Sequence, residues 1–124
     1  MRYGARMLAV MGLVLGAMPG ANAQAVLGAD VIKQSFAGNT SELLGQPNNL
    51  GVFYDTDGTQ RMRTKSRGLE SGTWRVTPEG EFCGKWTKLR NGVEACAPVI
   101  DLGGGVYQWG DTKFRILLGN PNGL

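Results

Sequence analysis

From Gly51 onward, turn-forming residues break the chain at short, regular intervals: Asp55-Thr56-Asp57-Gly58, Pro78-Glu79-Gly80, Asn91-Gly92 and Gly103-Gly104-Gly105. Between them stand short runs rich in β-branched and aromatic residues, at 52–54, 59–66, 73–77, 81–87, 94–100, 106–109 and 112–118. Connections this short join strands that run antiparallel. The expected fold class is therefore mainly β, a small antiparallel β-barrel or strongly curved sheet. One short N-terminal helix is expected over 30–36, with Asp30 as its N-cap and Gly38-Asn39 as its stop, placed to cover an open end. Asn39-Thr40-Ser41 matches a glycosylation acceptor but reads as a polar loop after that helix.

The first 23 residues combine Arg2 and Arg6, an apolar run from Met7 to Met18, and Ala21-Asn22-Ala23 at the cleavage positions. This is the pattern of a secretory signal peptide cleaved after Ala23, and its apolar run is too short to span a membrane. The expected organisation is a cleaved leader at 1–23 and a single β-rich domain at 24–124, with 119–124 a flexible tail. The expected localisation is periplasmic or secreted. Removing Arg2 and Arg6 leaves eleven basic residues against ten acidic ones, a net charge of +1 that gives no reason to expect nucleic acid as a partner.

Histidine is absent, which excludes a Ser-His-Asp triad, a Cys-His pair and any imidazole-based metal site. Two cysteines cannot build a thiolate metal cage. Neither a metal nor a cofactor is expected, and the protein is not expected to be an enzyme.

Cys83 and Cys96 admit two registers. A two-residue turn at Asn91-Gly92 sets Cys83 opposite Ile100 and separates the cysteines by four residues, roughly 13 Å, beyond disulfide reach. The alternative sets Cys83 opposite Cys96 and Lys85 opposite Glu94, and aligns Phe82, Gly84 and Trp86 with Ala97, Ala95 and Val93. Charges then pair and large residues meet small ones. The second register is preferred, with a Cys83–Cys96 disulfide worth about 3 kcal/mol in the chain-entropy model.

A helix ending in Gly38-Asn39-Thr40 is followed by Asp57-Gly58-Thr59, Gly72-Thr73-Trp74, Cys83-Gly84-Lys85-Trp86, Cys96 and Gly104-Gly105-Val106-Tyr107. In this order of motifs the chain resembles a family of small secreted proteobacterial proteins of unknown function. The resemblance covers most of 24–124 and implies a periplasmic β-rich domain with an N-terminal helix; it brings no catalytic residues. Ala97 departs from it, standing where a larger residue is expected.

Arg61, Arg63, Lys65 and Arg67 alternate with Gln60, Met62, Thr64 and Ser66, so a strand through them carries four cations on one face. The polar intervening face points to an edge strand. This stripe is the candidate binding surface of a non-enzymatic periplasmic binding or accessory module. Its partner would be an envelope protein or an anionic glycan or lipid head group. The alternative is a lipocalin-like carrier of a small apolar ligand, with Trp74, Trp86 and Trp109 lining its pocket. A monomer without a membrane span is expected in either case. Asp55-Thr56-Asp57-Gly58 lacks the later ligands of a calcium loop and reads as a turn. In the last strand, alternation puts Phe114, Ile116 and Leu118 inward.

Overall fold

The computed structural model describes residues 24–124, so the leader read at 1–23 lies outside the described residues. Strand β1 (Ala25–Val26) precedes helix α1 (Ala29–Phe36). Then come β2 (Thr40–Leu43), β3 (Asn49–Tyr54), β4 (Thr59–Thr64), β5 (Gly68–Val76), β6 (Glu81–Trp86), β7 (Ala95–Gly103), β8 (Val106–Trp109) and β9 (Thr112–Leu117). From β2 to β9 each strand pairs antiparallel with the next, and β9 pairs back onto β2. The eight strands close into an up-and-down barrel. β1 lies outside the ring and pairs with Ile100 and Asp101 of β7, beyond Pro98, the last β7 residue that pairs with β6.

Closure depends on β2, a segment whose sequence, Thr-Ser-Glu-Leu, reads as loop. Thr40 and Ser41 are nonetheless fully buried. The strand pairs on both sides, with Ser41 opposite both Val52 of β3 and Ile116 of β9. Its inward hydroxyl shares a 2.8 Å hydrogen bond with the Tyr54 hydroxyl. Strand character here comes from the two neighbours rather than from side-chain preference.

The turns at 55–58, 77–80 and 104–105 lie at one end of the barrel, and α1 closes that end. Its backbone begins at Gly28 with no side-chain cap, so Asp30 sits in the first turn and is not the N-cap. Ile32 and Phe36 are its buried residues. The Phe36 ring meets Tyr54 and Phe82 at 4.8 Å and Phe114 at 5.7 Å between centroids, an aromatic floor across the barrel.

The disulfide register is the preferred one: Phe82 faces Ala97, Cys83 faces Cys96 and Gly84 faces Ala95. Cys83 and Cys96 are bonded, with Cα atoms 4.1 Å apart. The expected Lys85–Glu94 pair does not form. The ladder stops at Gly84–Ala95, and Glu94 instead takes two 2.8 Å hydrogen bonds from Arg75 of β5. That fork holds the Glu94 carboxyl below its ordinary range. Asn91-Gly92 does not make a two-residue hairpin either; it belongs to a kinked loop over Leu89–Gly92 in which Arg90 and Asn91 are left-handed.

Two terminal readings are corrected. Leu118 lies past the end of β9 and is 85% exposed, whereas Phe114 is buried. The segment 119–124, expected to be a flexible tail, folds back on the barrel. Gly119 N–H donates to Asn39 Oδ1 at 2.8 Å, Thr40 Oγ1 donates to the Gly119 carbonyl at 2.7 Å, and Asn122 Nδ2 donates to the Leu50 carbonyl at 2.8 Å. Leu124 is buried. The Asn39 amide is also bonded through Nδ2 to the Ser35 carbonyl at 2.9 Å, so it ties helix, β2 and the C-terminal segment together.

Candidate functional site: the barrel cavity

An eight-stranded barrel is just wide enough to be filled by side chains or to hold one small ligand. Here a cavity of about 290 Å³ runs inward from the end opposite the helix. Phe36, Tyr54, Phe82 and Phe114 form its floor, and Val52, Met62, Trp86 and Trp109 its waist. Gln46, Arg67, Leu89 and Arg90, on the loops between strands, and Thr112, at the start of β9, stand around its mouth.

The mouth is cationic. Arg67 and Arg90 are exposed, and among the described residues neither side chain has an ion-pair partner. Local backbone places both. Thr64 Oγ1 accepts the Arg67 N–H at 3.0 Å, which sets the β4–β5 turn. Arg90 is held at φ 53° and its neighbour Asn91 at φ 55°, left-handed conformations uncommon outside glycine.

The interior also carries polar groups. Gln60 is 1% exposed on the inner face of β4, beside Met62 and Thr64. Its Nε2 lies 3.5 Å from the Lys85 carbonyl, the outer limit of a hydrogen bond. Asn49 Nδ2 points at Met62 Sδ, 2.9 Å away, while its Oδ1 accepts the Gly51 N–H. The Tyr54 hydroxyl is satisfied by Ser41, and burial raises its pKa far above the ordinary tyrosine range.

The four cations of the expected stripe do not share one strand face. β4 ends at Thr64, so only Arg61 and Arg63 project from its outer face; Lys65 and Arg67 belong to the following turn. Arg61 is engaged with Asp55 at 3.4 Å, with the Leu124 carbonyl at 3.3 Å and over the Phe53 ring at 5.2 Å. Arg63 lines a shallow outer depression with Glu42, Leu50 and Leu117. Lys65 is exposed, and its backbone N–H donates to the Asn48 carbonyl. Arg67 alone of the four reaches the cavity. Nor is β4 an edge: β3 and β5 flank it, and its polar alternate residues are the cavity wall.

Two of the three expected tryptophans line the cavity. Trp86 is buried in the wall, and Trp109 is fixed there by a 2.9 Å bond from Nε1 to the Phe82 carbonyl. Trp74 lies behind the lining, stacked on Phe82 at 6.1 Å and bonded to the Asp55 carbonyl at 2.8 Å. Sequence reasoning missed Gln60, Gly84 and Arg90. The signal for Gln60 was present in the polar Gln60-Met62-Thr64 alternation, which means an edge in an open sheet and a lined interior in a closed one.

Cys83, Cys96 and Glu94 cluster closely, but the sulfurs are joined to each other and the carboxylate is taken by Arg75, so the cluster offers no free ligand set. The Asp55–Gly58 segment is a hairpin turn in which Asp57 Oδ1 accepts from both the hydroxyl and the N–H of Thr59. Among the described residues no helix is long and apolar enough to cross a membrane. The resemblance in the order of short motifs stands alone: no family model, curated protein or solved structure matches this chain.

Proposed function

We propose that this chain is a non-enzymatic, exported binding protein that carries a small anionic amphiphile inside its barrel. The observation that carries the reading is a single cavity with an aromatic floor, an apolar waist and two arginines at its mouth. An apolar body gains by leaving water for the waist, and an anionic head stays at the wet end where Arg67 and Arg90 meet it. At about 290 Å³ the cavity suits a ligand at the small end of the usual range. The carboxylates whose titration is displaced, Asp57 and Glu94, are both lowered, the direction opposite to that of a general acid.

Titration with decanoate, followed by tryptophan fluorescence, tests the reading because Trp86 and Trp109 line the cavity. A saturable change is expected, weakened by rising salt and by the Arg67→Ala, Arg90→Ala double variant. Fluorescence that ignores decanoate and a panel of anionic and neutral amphiphiles overturns it.

A further inference from the structure

We infer that Gln60 is the inner recognition residue of the barrel cavity, and that the ligand it selects carries a hydrogen-bond donor, a hydroxyl or an amide N–H, at its buried end. The inference rests on the cavity reading proposed above and adds the chemistry of the ligand's far end.

Gln60 is almost completely buried, yet its amide is hardly bonded. The only described partner is the Lys85 carbonyl, 3.5 Å from Nε2. That contact assigns Nε2 to the Lys85 side, because turning the amide over would face two carbonyl oxygens. Oε1 is the end left over, and it receives no hydrogen bond from a described residue. The Tyr54 hydroxyl, on the neighbouring strand, is already engaged with Ser41. A buried carbonyl oxygen without a donor is unfavourable and is normally satisfied by something.

The surroundings are cut to keep this amide in place. Gly72 is the residue directly opposite Gln60 on β5, and Gly84 stands on β6 opposite Trp74, two residues further along β5. Neither adopts the left-handed backbone that demands glycine. A Cβ on Gly84 would stand 3.3 Å from Gln60 Nε2, and one on Gly72 would run into the Lys85 carbonyl oxygen. Strand β6 thus gives up a side chain where the Gln60 amide lies, while the glycine on β5 makes room for the β6 backbone. An apolar filling of the same space needs no such arrangement.

Depth completes the argument. Gln60 lies four residues along β4 from Thr64, which borders the mouth, a separation of roughly 13 Å. A ligand with its anionic head at Arg67 and Arg90 reaches Gln60 with the opposite end of a medium-length chain. The class that matches both ends is a medium-chain carboxylate bearing a terminal hydroxyl or amide.

Calorimetric titration of decanoate and of ω-hydroxydecanoate, on the wild-type protein and on Gln60→Met, tests this. The hydroxy acid should bind wild type about tenfold more tightly than decanoate, the effect of satisfying one already desolvated acceptor. In Gln60→Met the preference should vanish. In nitrogen-15 NMR spectra of the wild type, the Gln60 side-chain amide should shift with the hydroxy acid and much less with decanoate, a readout that needs no variant. Equal affinity for the two acids, or a preference that survives Gln60→Met, overturns the inference and leaves the cavity reading intact. Failure of both acids to bind removes the cavity reading and the inference with it.

Discussion

Gln60 and Gly84, on strands β4 and β6, share one space: the amide of the first lies where a side chain on the second would crowd it to 3.3 Å. Gly72, opposite Gln60 on β5, is constrained harder, since its absent Cβ would meet backbone rather than a side-chain tip. Gly72→Ala should therefore destabilise the fold by about 3 kcal/mol, at the upper end of overpacking costs. Gly84→Ala, which asks only that the Gln60 amide move, should cost about 1 kcal/mol and shrink the cavity. Denaturant unfolding of the two variants checks the order; equal losses would show that the Gln60 amide is as rigid as the backbone.

Arg90 is placed at the mouth in a left-handed conformation that disfavours any side chain. Arg90→Gly should raise stability by about 1 kcal/mol, or several degrees in Tm for a domain of this size. The same change removes a mouth cation, so affinity for an anionic amphiphile should fall. Thermal melts beside binding titrations check both halves. A variant that melts lower would mean that the Arg90 side chain holds the loop.

The Cys83–Cys96 bond closes a loop of sequence separation 13. The Cys83→Ser, Cys96→Ser double variant should lose about 3 kcal/mol, and reductant should lower the wild-type unfolding free energy by the same amount. Urea unfolding with and without reductant measures it. A loss below about 1 kcal/mol would show that ring closure alone holds the hairpin together.

Tyr54 and Asp57 give opposite pH dependences. Burial raises the Tyr54 pKa, so its stabilising effect is complete below the ordinary tyrosine value near pH 10 and is lost as pH rises from there toward its own higher value. The Thr59 hydroxyl and N–H lower the Asp57 pKa, so that contribution is present above pH about 4 and is lost as pH falls below it. Tyr54→Phe should flatten the alkaline limb of a Tm-against-pH curve, at a neutral-pH cost of about 1 kcal/mol for the stranded Ser41 hydroxyl. Asp57→Asn should flatten only the acid limb, and weakly, because the carboxylate is exposed. Curves that keep their shape in both variants would assign the limbs to other groups.

Much of the architecture was legible from local signals. The turns at 55–58 and 77–80, the strand alternation that buries Phe82, Trp86 and Phe114, and the pairing of Cys83 with Cys96 all follow from residue spacing and the period of two. The site was legible only in pieces. Trp86, Trp109 and Arg67 were marked for their residue types, yet they belonged to two separate readings, a pocket and a basic stripe. The structure brings all three to one cavity.

What the sequence determined by itself was the local part: which segments extend, where they turn and which cysteine faces which. Those choices depend on neighbours a few residues apart, and local preference suffices for them. Closure was decided only in three dimensions. The Thr40–Leu43 segment has no strand signature and becomes one because β3 and β9 arrive on either side of it. Once the ring is closed there is no edge, and the inner face of β4 has nowhere to point but inward. The same residues that read as the polar side of an edge strand, Gln60 and Thr64, become the lining of a cavity. Whether a polar alternate residue meets solvent or a barrel interior is set by pairings across 60 and more residues of chain, such as Ser41 with Ile116, and no local pattern encodes those.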